Sequence, residues 1–261
     1  MRRMGFLWVM LAVGAAQPVF GTTFPQLALG GLPGAGESYE CVIMITNETN
    51  QVWSGQMVAR QGNHDPWTIR WVAGGQNHDV QSVTFDLAAG GTIKVVARSI
   101  TGELGVGYLV LEGRDGASDT DVTVSFFYNL RRTGGDLLDS VSVPPPYLAQ
   151  GAMLPAEYVP DQIDTGIAWS SSLKWNSEFN LTFELRDVAG AVVETREMPF
   201  TGQQAMFVSQ IFPETAALGE FIGRVYVSCP HGIFVTALRL EHNSTGFQLT
   251  GTPSGPIWSV D

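Results

Sequence analysis

Apolar and polar residues alternate at every second position through most of this chain. In residues 179–186, Phe179, Leu181, Phe183 and Leu185 alternate with Asn180, Thr182, Glu184 and Arg186. An extended backbone sends successive side chains to opposite faces, so one face is apolar and the other wet. The same holds for 122–130, where Val122, Val124, Phe126, Tyr128 and Leu130 oppose Thr123, Ser125 and Asn129. Further strands are predicted at 39–46, 52–60, 68–72, 83–87, 92–99, 105–111, 191–197, 205–208 and 223–229, with turn signals such as Ala89-Gly90-Gly91 and residues 187–190 between them. No sustained helical period occurs, and residues 209–218 are expected to form a turn or two of helix at most. Half-buried strands at this spacing predict an all-β chain of antiparallel sandwiches.

The pattern is interrupted twice. Residues 1–21 carry Arg2 and Arg3, an apolar run at 5–16, and then Val19, Phe20 and Gly21, the layout of a secretory signal peptide. A bilayer span needs about 20 apolar residues, more than this run offers, and no later stretch reads as a membrane helix. The chain is therefore expected to be secreted, extracellular or periplasmic, with no membrane span after the signal. In the middle, Thr133-Gly134-Gly135 and Pro144-Pro145-Pro146 lead into a stretch without period. Residues 141–160 are expected to be a proline-rich linker between a first sandwich at 22–140 and a second at 161–261. The halves also resemble each other. Residues 105–130, with a long loop, parallel 222–240, with a tight loop at Pro230-His231-Gly232, as a duplication would leave them.

The run Asp164-Thr165-Gly166-Ile167-Ala168-Trp169, the segments LTFELRDVAGAVVETREM and FVSQIFPE, and GRVYVSCPHGIFVTALRL resemble a β-sandwich repeat common in secreted bacterial proteins. FPQLALGG at 24–31 and VIMITNET at 42–49 carry the resemblance into the first half. It implies tandem immunoglobulin-like modules, extracellular and non-catalytic, and supplies no functional residues to carry over.

Charge narrows the partners. With a net charge of −11 and no cluster of Lys or Arg, the chain repels phosphate backbones, so nucleic acid is not expected. A protein or an extracellular polymer is. The two cysteines, Cys41 and Cys229, alternate with apolar neighbours. Burial as free thiols is expected over a disulfide, because each belongs to a different half.

Candidate chemistry is sparse. Asn63-His64-Asp65 and Asn77-His78-Asp79 flank one strand; if His64, Asp65, His78 and Asp79 converged they could hold a metal ion, although the same residues are those turns require. The loop at 115–121 carries Asp115, Asp119 and Asp121. Its oxygens suit calcium, the one cofactor this sequence admits, but the spacing lacks the EF-hand ligand ladder. Trp67 and Trp71 share strand parity and would form a glycan platform if exposed. No nucleophile elbow, HExxH, phosphate loop or dinucleotide fingerprint is present. A non-catalytic structural, adhesive or protein-interaction module is therefore expected, with carbohydrate binding as the first alternative and a metal-dependent hydrolase as the second.

Overall fold

The computed structural model describes residues 22–31, 34, 36–132, 135–144, 146, 148–171, 179–243, 246–252 and 255–256. The expected signal peptide lies outside them. The fold is all-β and its sheets are antiparallel.

In chain order the first strands are β1 (Thr22–Leu29), β2 (Glu37–Asn47), β3 (Trp53–Gln61), β4 (Ile69–Ala73), β5 (Gln76–Val80), β6 (Ser82–Leu87), β7 (Thr92–Arg98), β8 (Gly105–Gly113), β9 (Val122–Arg132) and β10 (Leu137–Val143). They form a four-stranded sheet, β1-β8-β3-β6, and a six-stranded sheet, β10-β9-β2-β7-β4-β5. The inward-facing residues of both sheets share one core. Leu27, Leu29, Met57 and Leu109 come from the first sheet, and Ile43, Val95 and Phe126 from the second. Phe24 and Phe126 stack across the gap with centroids 4.8 Å apart. The largest rings are buried but keep their polar atoms paired, as burial demands: Trp53 Nε1 donates to Ser118 O at 2.7 Å and Trp71 Nε1 to Val80 O at 3.1 Å. Gly74 and Gly75, with φ of 56° and 79°, make the two-residue turn from β4 to β5, because a tight hairpin needs left-handed residues at both central positions.

The second set comprises β11 (Leu148–Val159), β12 (Ile163–Ser170), β13 (Asn180–Asp187), β14 (Val192–Pro199), β15 (Gln204–Phe207), two single-turn helices α1 (Val208–Ile211) and α2 (Pro213–Ala216), β16 (Phe221–Asn243), β17 (Gly246–Thr252) and β18 (Gly255–Pro256). Residues 141–160, expected as linker, instead hold the end of β10 and the whole of β11. Strand β11 pairs with β16 along most of its length. Small inward residues, Ala152, Leu154 and Ala156, mute its alternation. Among the described residues β18 reaches only Ala152 and Met153, and β12 only Tyr158 and Val159, so Pro155, which has no N–H to donate, is paired on one side there.

The tight loop expected at Pro230-His231-Gly232 is also corrected. Strand β16 runs through it for 23 residues. Its partners on β11 step from Gly151 opposite Ser228 to Ala149 opposite Ile233, so residues 229–232 bulge out of the ladder. Before the bulge β16 lies between β11 and β13; after it, β16 pairs with β12 and β17. A bulge lets one strand bend and exchange partners within a single sheet, here of eight strands. The inward residues gather into a second core around Trp169, Phe183, Phe212 and Val227.

The two sets of strands meet along a seam. Leu238 of β16 packs into the first core, and the backbone N–H of Gln203 donates to Gly62 O at 2.9 Å.

Candidate functional site

Strand β2 sends Cys41, Ile43 and Ile45 into the core, so Glu40, Val42 and Met44 stand on the outer face of the six-stranded sheet. Directly opposed residues of antiparallel strands share a face, and the registers therefore carry Glu40 into a row crossing the whole sheet. The row runs from Ser140 on β10 through Asn129, Glu40, Arg98 and Arg70 to Asp79 on β5. Ser140 Oγ donates to Asn129 Oδ1 at 2.7 Å, and Asn129 Nδ2 to Glu40 Oε1 at 3.1 Å. Arg98 Nε donates to Glu40 Oε2 at 2.8 Å, and Arg131 Nε to Glu40 Oε1 at 2.5 Å. At the far end Arg70 grips Asp79 with two bonds of 2.8 and 2.7 Å. The next row is apolar: Phe127, Val42, Val96 and Val72 follow one another on neighbouring strands.

Glu40 is the most buried member, 4% exposed. Burial alone would raise its pKa, but the hydrogen bonds from Arg131, Asn129 and Arg98 outweigh it and hold the carboxyl below its ordinary value. Both arginines meet Glu40 through Nε. Arg131 also donates from Nη1 to Gly135 O at 2.6 Å, whereas the terminal nitrogens of Arg98 have no partner among the described residues.

These groups form one wall of a cleft of about 690 Å³ at the end of the sheet. Gly30, Gly31, Gly34 and Gly36 line it, together with Ser99, Glu37, Glu103 and Arg132. Three arginines and three glutamates share the lining, so the cleft is strongly polar without a net sign. Neighbouring Tyr39 has its phenol pKa raised, first by burial and then by the charges of Glu37 and Asp139. Tyr39 also borders a second cavity, of about 540 Å³, on the seam. That one is mainly apolar, with Leu104, Val106, Met206, Phe207 and Leu238 on its walls.

The residues singled out from sequence fall elsewhere. Trp71 is 0% exposed, so it offers no face to a sugar. Trp67 is half-buried, and its ring lies so close over Gly105 and Gly107 that a Cβ there would meet it at 2.6 and 2.9 Å. The pair is not a platform. His64 Nδ1 bonds the Tyr108 hydroxyl at 2.7 Å, Asp65 accepts from Asn63 at 2.7 Å, and Asp79 is held by Arg70. His78 stands on the exposed edge strand β5, opposite Trp71. The two Asn-His-Asp copies thus serve different local structures. In the acidic loop Asp119 accepts from Thr22 Oγ1 at 2.8 Å, Asp121 caps a single 3-10 turn through the Ser118 amide, and Asp115 turns the chain with a φ of 55°. Among the described residues no group of three or more His, Cys, Asp or Glu side chains is arranged to hold a metal ion. Cys41 and Cys229 are free, each buried in its own core. Burial pushes both thiols up.

Sequence reasoning missed Glu40, Arg98 and Arg131. They lie on three strands far apart in the chain, and only the register shows that they meet. No helix among the described residues is long and apolar enough to cross a membrane. No family model, no curated protein and no solved structure matches the chain.

Proposed function

We propose that this chain is an exported, non-catalytic adhesive module of tandem immunoglobulin-like sandwiches, which holds an extracellular partner on the outer face of its six-stranded sheet. The observation that carries this reading is the transverse row from Ser140 to Asp79. It crosses all six strands, lies beside an apolar row, and at Glu40 and Arg98 borders a cleft with uncommitted arginine nitrogens. A broad sheet face with an apolar strip and fixed charges suits an extended polymer or a flat protein surface. The resemblance to secreted bacterial sandwich repeats supports the exported, non-catalytic part of the proposal.

The test is retention of the chain lacking residues 1–21 on immobilised extracellular polysaccharides and proteins, beside a Val72→Glu variant. That substitution adds a carboxylate to the apolar row at a half-exposed position. The proposal expects binding by the parent and loss of about tenfold or more in the variant, with unfolding temperature within a few degrees. Binding that survives Val72→Glu unchanged would put the partner on another surface.

A further inference from the structure

We infer that the cleft at the end of the six-stranded sheet is a subsite for a carboxylate-bearing sugar, such as a uronate unit of an acidic polysaccharide. This rests on the adhesive reading and names its ligand.

The argument begins with Glu40. A carboxylate buried on a sheet's outer face is costly unless fully paired, and here it is met by two guanidinium groups and an amide. One carboxylate therefore fixes two cations, leaving a local excess of one positive charge. Arg98 uses only Nε for Glu40, at 2.8 Å, so its terminal nitrogens remain for an outside group. A guanidinium held at one corner presents a fixed pair of donors matched to a planar carboxylate. The cleft at these arginines, about 690 Å³, exceeds the volume of a single sugar ring.

The opposite charges decide the class of ligand. Glu37 and Glu103 also line the cleft, and they would repel an acidic peptide, which carries carboxylates but few hydroxyl donors. A uronate offers both: its carboxylate for Arg98, and ring hydroxyls that donate to Glu37 and Glu103. Neutral sugars would satisfy the glutamates but offer the arginines only uncharged hydroxyl acceptors, which make weaker hydrogen bonds than a carboxylate. Gly34 and Gly36, where a Cβ would meet nothing within 4 Å, leave the backbone open to a ring.

Titration calorimetry of the chain lacking residues 1–21 tests this with three probes: trigalacturonate, maltotriose and triglutamate. Trigalacturonate should bind, with maltotriose and triglutamate weaker by about tenfold or more. Arg98→Lys, which keeps a cation beside Glu40 but loses the planar fork, should weaken trigalacturonate by about tenfold. Arg132→Ala, an exposed change on the same cleft, should weaken it by about two- to fivefold and keeps the test open if the first variant unfolds. Equal binding of triglutamate would replace the sugar by an acidic peptide. No binding of trigalacturonate, or affinity unchanged in both variants, overturns the subsite. If the chain is still retained on a polymer through Val72, the adhesive reading stands while this one falls.

Discussion

At the scale of single residues, Glu40 is where stability and the site coincide. Its folded pKa is held below the unfolded value of about 4.3. The stabilisation is therefore complete above that value and is lost as pH falls through the lower folded one. Glu40→Gln is expected to cost about 2 kcal/mol at neutral pH, allowing for the half-exposed arginines, and much less at an acid pH below the lowered folded value. Denaturant titrations at the two pH values check this. Asp164 has the opposite sign. Burial raises its pKa against the hydrogen bonds from Ser209, so its contribution improves as pH falls through the raised value, and Asp164→Asn should abolish that acid-side gain. Ser170 is buried with no partner for its hydroxyl among the described residues, beside the similarly unpartnered Nε1 of Trp169. Removing an unsatisfied polar group relieves its desolvation cost. Ser170→Ala should raise stability by about 1 kcal/mol; a loss of that size would show that the hydroxyl serves a bound group.

Among the elements, those with one apolar and one polar face were legible. The strand predicted at 122–130 is β9, at 39–46 β2, at 92–99 β7 and at 179–186 β13, each displaced by a residue or two at its ends. Strand β5 was not, because all five of its residues are exposed on a sheet edge and carry no alternation. Its signal was the Gly74-Gly75 turn between it and β4. A β-branched residue cannot adopt the left-handed φ of 56° at Gly74 without strain. Gly74→Val should therefore cost about 1–2 kcal/mol and Gly74→Asn much less, read from chemical denaturation. Strand β11 hid behind small residues and prolines. The site was illegible for a different reason: Glu40 and Arg131 are 91 residues apart, and their meeting depends on β2 pairing with β9. The histidines and tryptophans drew attention by residue type, but their surroundings assign them to a turn, an exposed edge strand and the core.

At the scale of the molecule, the seam decides whether the halves behave independently. Leu238 crosses into the first core and Gln203 bonds Gly62, so loss of one half would expose apolar surface on the other. Calorimetry should show one cooperative unfolding transition, with calorimetric and van't Hoff enthalpies equal. Two resolved transitions would mean that the seam contributes little.

The central claim is that the outer face of the six-stranded sheet is the binding surface. Amide hydrogen exchange on the chain lacking residues 1–21, with and without a saturating polymer ligand, tests it most directly, because bound backbone opens less often. Slowed exchange should concentrate in β2, β7 and β9 and in the turns around Ser99 and Gly135. Protection confined to β14, or to the walls of the apolar cavity on the seam, would contradict the account.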